Sequence, residues 1–100
     1  MAKVTIMYWR DIPSQVIVKA GRKSAKRLLG ERFQEAIDFA AMRSKAHETD
    51  AYLEEWRRGV PADCGDDLEQ EADSAAKALE SEFDDGRLDA LVKNGGHAIG

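Results

Sequence analysis

The sequence predicts an α+β domain, with an N-terminal β-hairpin packed on a main helix and further helices behind it. Three observations carry that prediction. Residues 3–19 alternate and are rich in β-branched side chains, residues 29–41 place apolar groups at helical spacing, and residues 66–92 repeat that spacing under a heavily acidic surface. The 100 residues suit one domain with a modest core, taken as 1–96, with 97–100 expected as a flexible tail. At 43% hydrophobic and 34% charged residues, the composition is that of a folded chain rather than a disordered one.

From Met1 to Arg10, Val4, Ile6 and Tyr8 fall on one face and Lys3, Thr5, Met7 and Trp9 on the other. Both faces carry large apolar groups, so the strand is expected to be covered at least partly on both sides. Asp11-Ile12-Pro13-Ser14 breaks the alternation, because Pro13 lacks an N–H and restricts the residue before it. Gln15 to Lys19 resumes it, and so short a connection between two strands makes an antiparallel hairpin. Ala20-Gly21 ends or bulges the second strand. Residues 22–29 admit two readings, a short helix capped by Ser24 or a basic run extended into Leu28-Leu29.

Leu29, Phe33, Ala36, Ile37, Ala40 and Ala41 form one apolar stripe, which predicts a helix over 31–45. Glu31 and Glu35 at its start and Arg43 and Lys45 at its end suit the helix dipole, and the end is expected between Ser44 and His47. Asp50 is expected to cap a third element in which Tyr52, Leu53 and Trp56 cluster at helical spacing before Gly59-Val60-Pro61. A third strand near 52–58 is the alternative. Asp66 with Glu69 resembles a capping box opening a long acidic helix, whose stripe is Leu68, Ala72, Ala75, Ala76, Leu79 and Phe83. Gly86 is a point of interruption, and Asn94-Gly95-Gly96 a C-terminal stop. The expected core is Ile6, Val16, Val18, Phe33, Ile37, Leu53 and Trp56.

Charge divides the chain. Residues 1–50 hold ten Lys/Arg and six Asp/Glu, whereas residues 51–100 hold five and thirteen. Lys19, Arg22, Lys23, Lys26, Arg27 and Arg32 crowd into residues 19–32, and ten acids crowd into 63–85 against Lys77 alone. Such a division suits an internal or oligomeric match. A homodimer that pairs hairpin edges across a two-fold axis is the favoured assembly, with the acidic helix 66–83 folded back over the second face of the hairpin within one chain as the alternative. Nucleic-acid binding by the 19–32 stretch is disfavoured, because the chain is acidic overall and the stretch lacks aromatic rings on which bases stack.

No apolar run approaches the roughly 18 residues of a membrane span, and Arg10-Asp11 cuts the first apolar stretch, which argues against a secretory signal. Cys64 is the single cysteine, so an internal disulfide and a multi-cysteine zinc site are excluded. These exclusions predict a cytoplasmic protein. The acids around Cys64 (Asp63, Asp66 and Asp67) disfavour a thiolate. His47 is expected at a helix end and His97 in the tail, and no metal-binding or serine-nucleophile motif is present. Gly21-Arg22-Lys23-Ser24 lacks the glycine and residue order of a phosphate loop. No catalytic residue, cofactor or metal site is therefore assigned, and a non-catalytic role is favoured over an enzymatic one. The candidate interaction surface is Trp9, Arg10 and Asp11 together with Arg22, Lys23, Lys26 and Arg27. Trp9-Arg10-Asp11-Ile12-Pro13 either builds a rigid corner or presents one to a partner, since Trp and Arg are enriched at interface hot spots.

Four segments, Tyr8 to Val16, Gly21-Arg22-Lys23, Glu31 to Asp38 and Asp50 to Arg58, agree in order and spacing with a known pattern. On them the chain resembles the small bacterial "virulence factor" family over about residues 3–60. Gly30 departs from that pattern, standing where a helix-starting proline is often found. The resemblance brings no catalytic residues with it. It implies a small accessory protein, because members are expected beside one-carbon enzymes such as methylenetetrahydrofolate reductase and corrinoid methyltransferases. A protein partner from that metabolism is the expectation, with a small enzyme or enzyme subunit acting on a one-carbon substrate as the alternative.

Overall fold

The computed structural model describes residues 2–44 and 49–97. β1 (Ala2–Trp9) and β2 (Ile12–Ala20) form the expected hairpin, joined at Arg10–Asp11. Val4 lies opposite Val18 and Ile6 opposite Val16. The register then shifts between Met7 and Tyr8, so that Tyr8 faces Pro13 and Trp9 faces Ile12. Pro13 is thus accommodated by a bulge at Ser14, whose carbonyl accepts the Leu29 N–H at 3.1 Å. Residues 22–29 resolve to the extended reading: β3 (Lys23–Leu28) pairs with β2.

The segment with rival readings contains both. α2 (Thr49–Glu54) is a short helix, and β4 (Trp56–Arg58) follows it and pairs with the end of β1. β5 (Ala62–Cys64) pairs with the beginning of β1. The result is a five-stranded antiparallel sheet in the order β3-β2-β1-β4, with β5 beside β1 next to β4. Both hairpin edges that a second copy was expected to pair are therefore occupied within the chain, by β3 on β2 and by β4 and β5 on β1.

α1 (Glu31–Arg43) starts and stops near its expected limits, although residues 45–48, including His47, lie outside the described residues. Gly30 offers no side-chain cap, and the Glu80 carboxylate reaches across to accept the Gly30 N–H at 2.8 Å. α3 (Leu68–Glu82) is capped by Asp67, one residue later than expected, because the Asp67 side chain accepts from the Gln70 N–H. Asp84 caps α4 (Asp85–Lys93) in the same way. The break between α3 and α4 accordingly falls at Phe83-Asp84, and Gly86 sits inside the first turn of α4. Gly95 and Gly96 then take φ of +69° and +93° and end the helix as expected. Residues 98–100, most of the expected tail, lie outside the described residues.

Alternation sets the layers. Ala2, Val4, Ile6, Val16, Val18 and Ala25 share the face on which α3 lies, packed against Ala72 and Leu79. α1 rests on β2 and on α4, burying Phe33, Ala36, Ile37, Ala40 and Ala41 with Leu88 and Leu91. Phe33 meets Phe83 edge to face at 6.2 Å between ring centres. Of the expected core, Val16, Val18, Phe33 and Ile37 are buried, and Ile6 and Trp56 pack against the core partly exposed. Leu53 is a correction: it is 60% exposed, because the single usable face of a six-residue helix turns Tyr52 inward. No helix among the described residues is long and apolar enough to cross a membrane.

Phe33→Ala should cost roughly 3–5 kcal/mol in chemical denaturation; a loss below about 1 kcal/mol would remove Phe33 from the core. The two ends of α4 should respond oppositely to Gly→Ala. At Gly96 a Cβ would stand 2.9 Å from the Trp9 ring on a left-handed backbone, so Gly96→Ala should destabilise by more than about 1 kcal/mol. At Gly86 a Cβ meets only the Asp84 carboxylate at 3.5 Å, so Gly86→Ala should stabilise by a few tenths to about 1 kcal/mol.

Candidate functional site

The seven sequence-predicted residues do not converge on one surface. Trp9 is fully buried, its Nε1–H donating to the Tyr52 carbonyl at 2.9 Å and its ring stacked 5.7 Å from the Tyr52 ring. Arg10 lies over the Trp9 ring at 4.8 Å, donates to the Gly95 carbonyl and stands 3.5 Å from Glu55. Asp11 pairs with Arg57 at 3.1 Å. This segment forms a corner held by contacts within the chain. Arg22 and Lys23 are exposed beside the β2–β3 turn. Lys26 and Arg27 alternate to opposite faces of β3, and Arg27 is engaged by Glu69 of α3.

That last contact is part of a wider match between the basic and acidic halves. Arg32 of α1 reaches Glu80 and Asp85, each at 3.2 Å, and donates to the Phe83 and Glu80 carbonyls. Arg27 and Arg32 are thus both paired with acids of the second half within the chain.

The outer face of the sheet is different. Across it run Arg58, Met7, Gln15 and Leu28 in one row, Thr5, Ile17 and Lys26 in the next, and Asp63, Lys3, Lys19 and Ser24 in the third. Met7 and Ile17 stand outside the hydrophobic core, and Leu28 is 74% exposed. Asp63 binds Lys3 at 3.1 Å, which relieves the repulsion between Lys3 and the directly opposite Lys19. Lys19, Lys26 and Arg58 make no ion pair among the described residues. An aliphatic strip flanked by three unmatched cations is the arrangement that sequence reasoning missed. Alternation within β3 sends Lys26 and Arg27 to opposite faces, and within β4 Arg57 and Arg58, but which of them join Lys19 on one face is set by the strand pairing.

On the helix side, β1, β4, α3 and α4 enclose a groove of about 680 Å³. β4 places Arg57 opposite Tyr8, with its guanidinium 4.5 Å from the ring and its Nε–H donating to the Arg10 carbonyl at 2.9 Å. On the opposite wall Arg87 covers Phe83 at 4.0 Å and pairs with Glu82 at 3.3 Å. Ile6, Leu79 and Leu91 supply apolar lining. Gly59 keeps the groove open: its N–H donates to the Ile6 carbonyl at 2.7 Å, and a Cβ there would meet the Tyr8 ring at 3.1 Å. Among the described residues, the groove lining contains no histidine, cysteine, serine or lysine.

A family model described as virulence factor matches residues 7–92. The chain belongs to the virulence factor family. The match runs well past the segments that carried the resemblance, so that α3 and nearly all of α4 fall within it, as do β2 to β5 and the end of β1. Comparison with curated proteins and with solved structures finds no match.

Cys64 of β5 is half-buried, and its thiol is pushed up, first by burial and then by the carboxylates of Glu71, Asp63 and Asp66. Glu71, brought in by α3, takes the part expected of Asp67. A raised thiol pKa keeps Cys64 protonated at neutral pH, so iodoacetamide should alkylate it more slowly in the folded protein than in urea, with the rate rising as pH increases. Equal or faster alkylation in the folded state would contradict this environment.

Proposed function

We propose that this protein is a non-catalytic accessory module that docks onto an acidic surface of a partner protein. The outer face of the sheet, with Lys19, Lys26 and Arg58 around Met7, Ile17 and Leu28, is the observation that carries the reading. The chain itself supplies the template. On its other face the same sheet accepts α3, a helix with a narrow apolar stripe and an acidic flank that reaches Arg27 through Glu69. An acidic amphipathic helix of a partner would meet the outer face in the same manner, aliphatic strip against stripe and carboxylates against unmatched cations. Among the described residues the outer face from Lys3 to Leu28 displays no aromatic ring, and Trp56, which shares the face with Arg58, is packed edge to face on Tyr52 against the core, which favours protein over nucleic acid, whose bases bind by stacking. In the groove the carboxylates of Asp11 and Glu82 are each held by an arginine, an arrangement that supports binding there. The partner class is an enzyme of one-carbon or methyl-group metabolism in the cytoplasm, which the family's expected neighbourhood suggests.

Binding to purified methylenetetrahydrofolate reductase and to a corrinoid methyltransferase of the same host tests this by interferometry. The combined Lys19→Glu, Lys26→Glu and Arg58→Glu variant should bind one of them at least about tenfold more weakly and with a flatter salt dependence. Lys77→Glu, on the exposed side of α3, should leave binding unchanged. Equal affinity of the triple variant, or no binding to either enzyme together with turnover of a one-carbon substrate by the isolated protein, overturns the proposal.

A further inference from the structure

We infer that the groove between β1–β4 and α3–α4 is a second, separate binding site, for a small organic anion that carries a carboxylate or phosphate on an apolar body. It lies on the helix side of the sheet, so it stands independently of docking by the outer face. Three features define the ligand. The volume of about 680 Å³ is within the roughly 300–1,000 Å³ range of small-molecule sites. The apolar part of the lining, Ile6, Tyr8, Leu79 and Phe83, takes an uncharged body. The third feature is a pair of arginines from different walls, each with its guanidinium over an aromatic ring and so held at the groove rather than trailing into solvent.

Their donors are only partly used. Among the described residues Arg57 spends Nε and Nη2, on the Arg10 carbonyl and on Asp11, and Arg87 spends Nη1 on Glu82. A guanidinium has five N–H donors in a fork that fits carboxylate and phosphate oxygens, so Nη1 of Arg57 and Nε and Nη2 of Arg87 remain for a ligand. Glu82 is 58% exposed at its side chain, and exposed pairs of this kind contribute little, so Arg87 can exchange it for a ligand anion at small cost. A cationic ligand would have to compete with both arginines for Asp11 and Glu82.

Amide NMR titration of the whole chain with three probes of similar body, phenyl phosphate, 3-phenylpropanoate and phenethylamine, tests the assignment. Both anions should shift the amides of Tyr8, Gly59 and Arg87, and the amine should not. Arg87→Gln alone, which leaves the Arg57–Asp11 contact in place, should weaken anion binding severalfold, and Arg57→Gln with Arg87→Gln at least about tenfold. Tighter binding of the phosphate than of the carboxylate, or the reverse, supports the site and names its head group. Shifts scattered over the surface, binding of the amine as tight as that of the anions, or unchanged affinity in Arg87→Gln overturns it.

Discussion

The fold depends on the corner at Trp9–Arg10–Asp11, where one two-residue turn fastens four parts of the chain. The Trp9 indole is bonded to α2 through the Tyr52 carbonyl, and the Arg10 N–H is bonded to the Glu55 carbonyl at 3.0 Å. The Asp11 N–H takes the Gly96 carbonyl at 2.8 Å, and the Arg10 side chain takes that of Gly95. Arg57 of β4 closes the arrangement from the Arg10 carbonyl to the Asp11 carboxylate. Arg10 holds φ of 54°, a left-handed conformation that is costly for an arginine and persists only where the surroundings over-determine it. Here they do: its Nε is buried without a hydrogen bond but lies 3.5 Å from the Glu55 carboxylate.

The corner also sets the two faces of the sheet. The bulge next to it moves Tyr8 opposite Pro13, and β4 then aligns Arg57 with Tyr8 and Arg58 with Met7. Two adjacent arginines are thereby sent to opposite sides, one to the groove and one to the outer face. Charge follows the same partition. On the helix side Arg27 and Arg32 are paired with Glu69, Glu80 and Asp85 of α3 and α4, whereas on the outer face Lys19, Lys26 and Arg58 make no ion pair among the described residues. A net charge of −4 hides this arrangement entirely.

Much of the fold was legible locally. The hairpin, the Phe33–Ile37–Ala40 stripe, the acidic helix and the Asn94-Gly95-Gly96 stop all rest on periodicity or on backbone preferences that a few neighbouring residues set by themselves. β4 and β5 were not legible in the same way, because strands of three residues are too short to show an alternation. Leu53 was misplaced for a related reason: within a single helical turn, spacing alone does not say whether Tyr52 or Leu53 faces inward, and the ring of Trp9 decides it.

The sequence by itself determined the fold class, the helical stripes, the family resemblance and the separation of charge along the chain, because each is written in residue type and short-range spacing. Only the tertiary structure decided which cations meet which acids, that β1 is flanked on both sides within one chain, and that Arg57 and Arg87 share a groove. Those features depend on strand register and on contacts between residues some 30 to 50 positions apart, such as Tyr8 with Arg57 and Arg32 with Glu80. A shift of one residue in the pairing of β1 with β4 would exchange Arg57 with Arg58 between the two faces, and no local propensity in a three-residue strand forbids that shift. The burial of Trp9 against α2 and Gly96 forbids it.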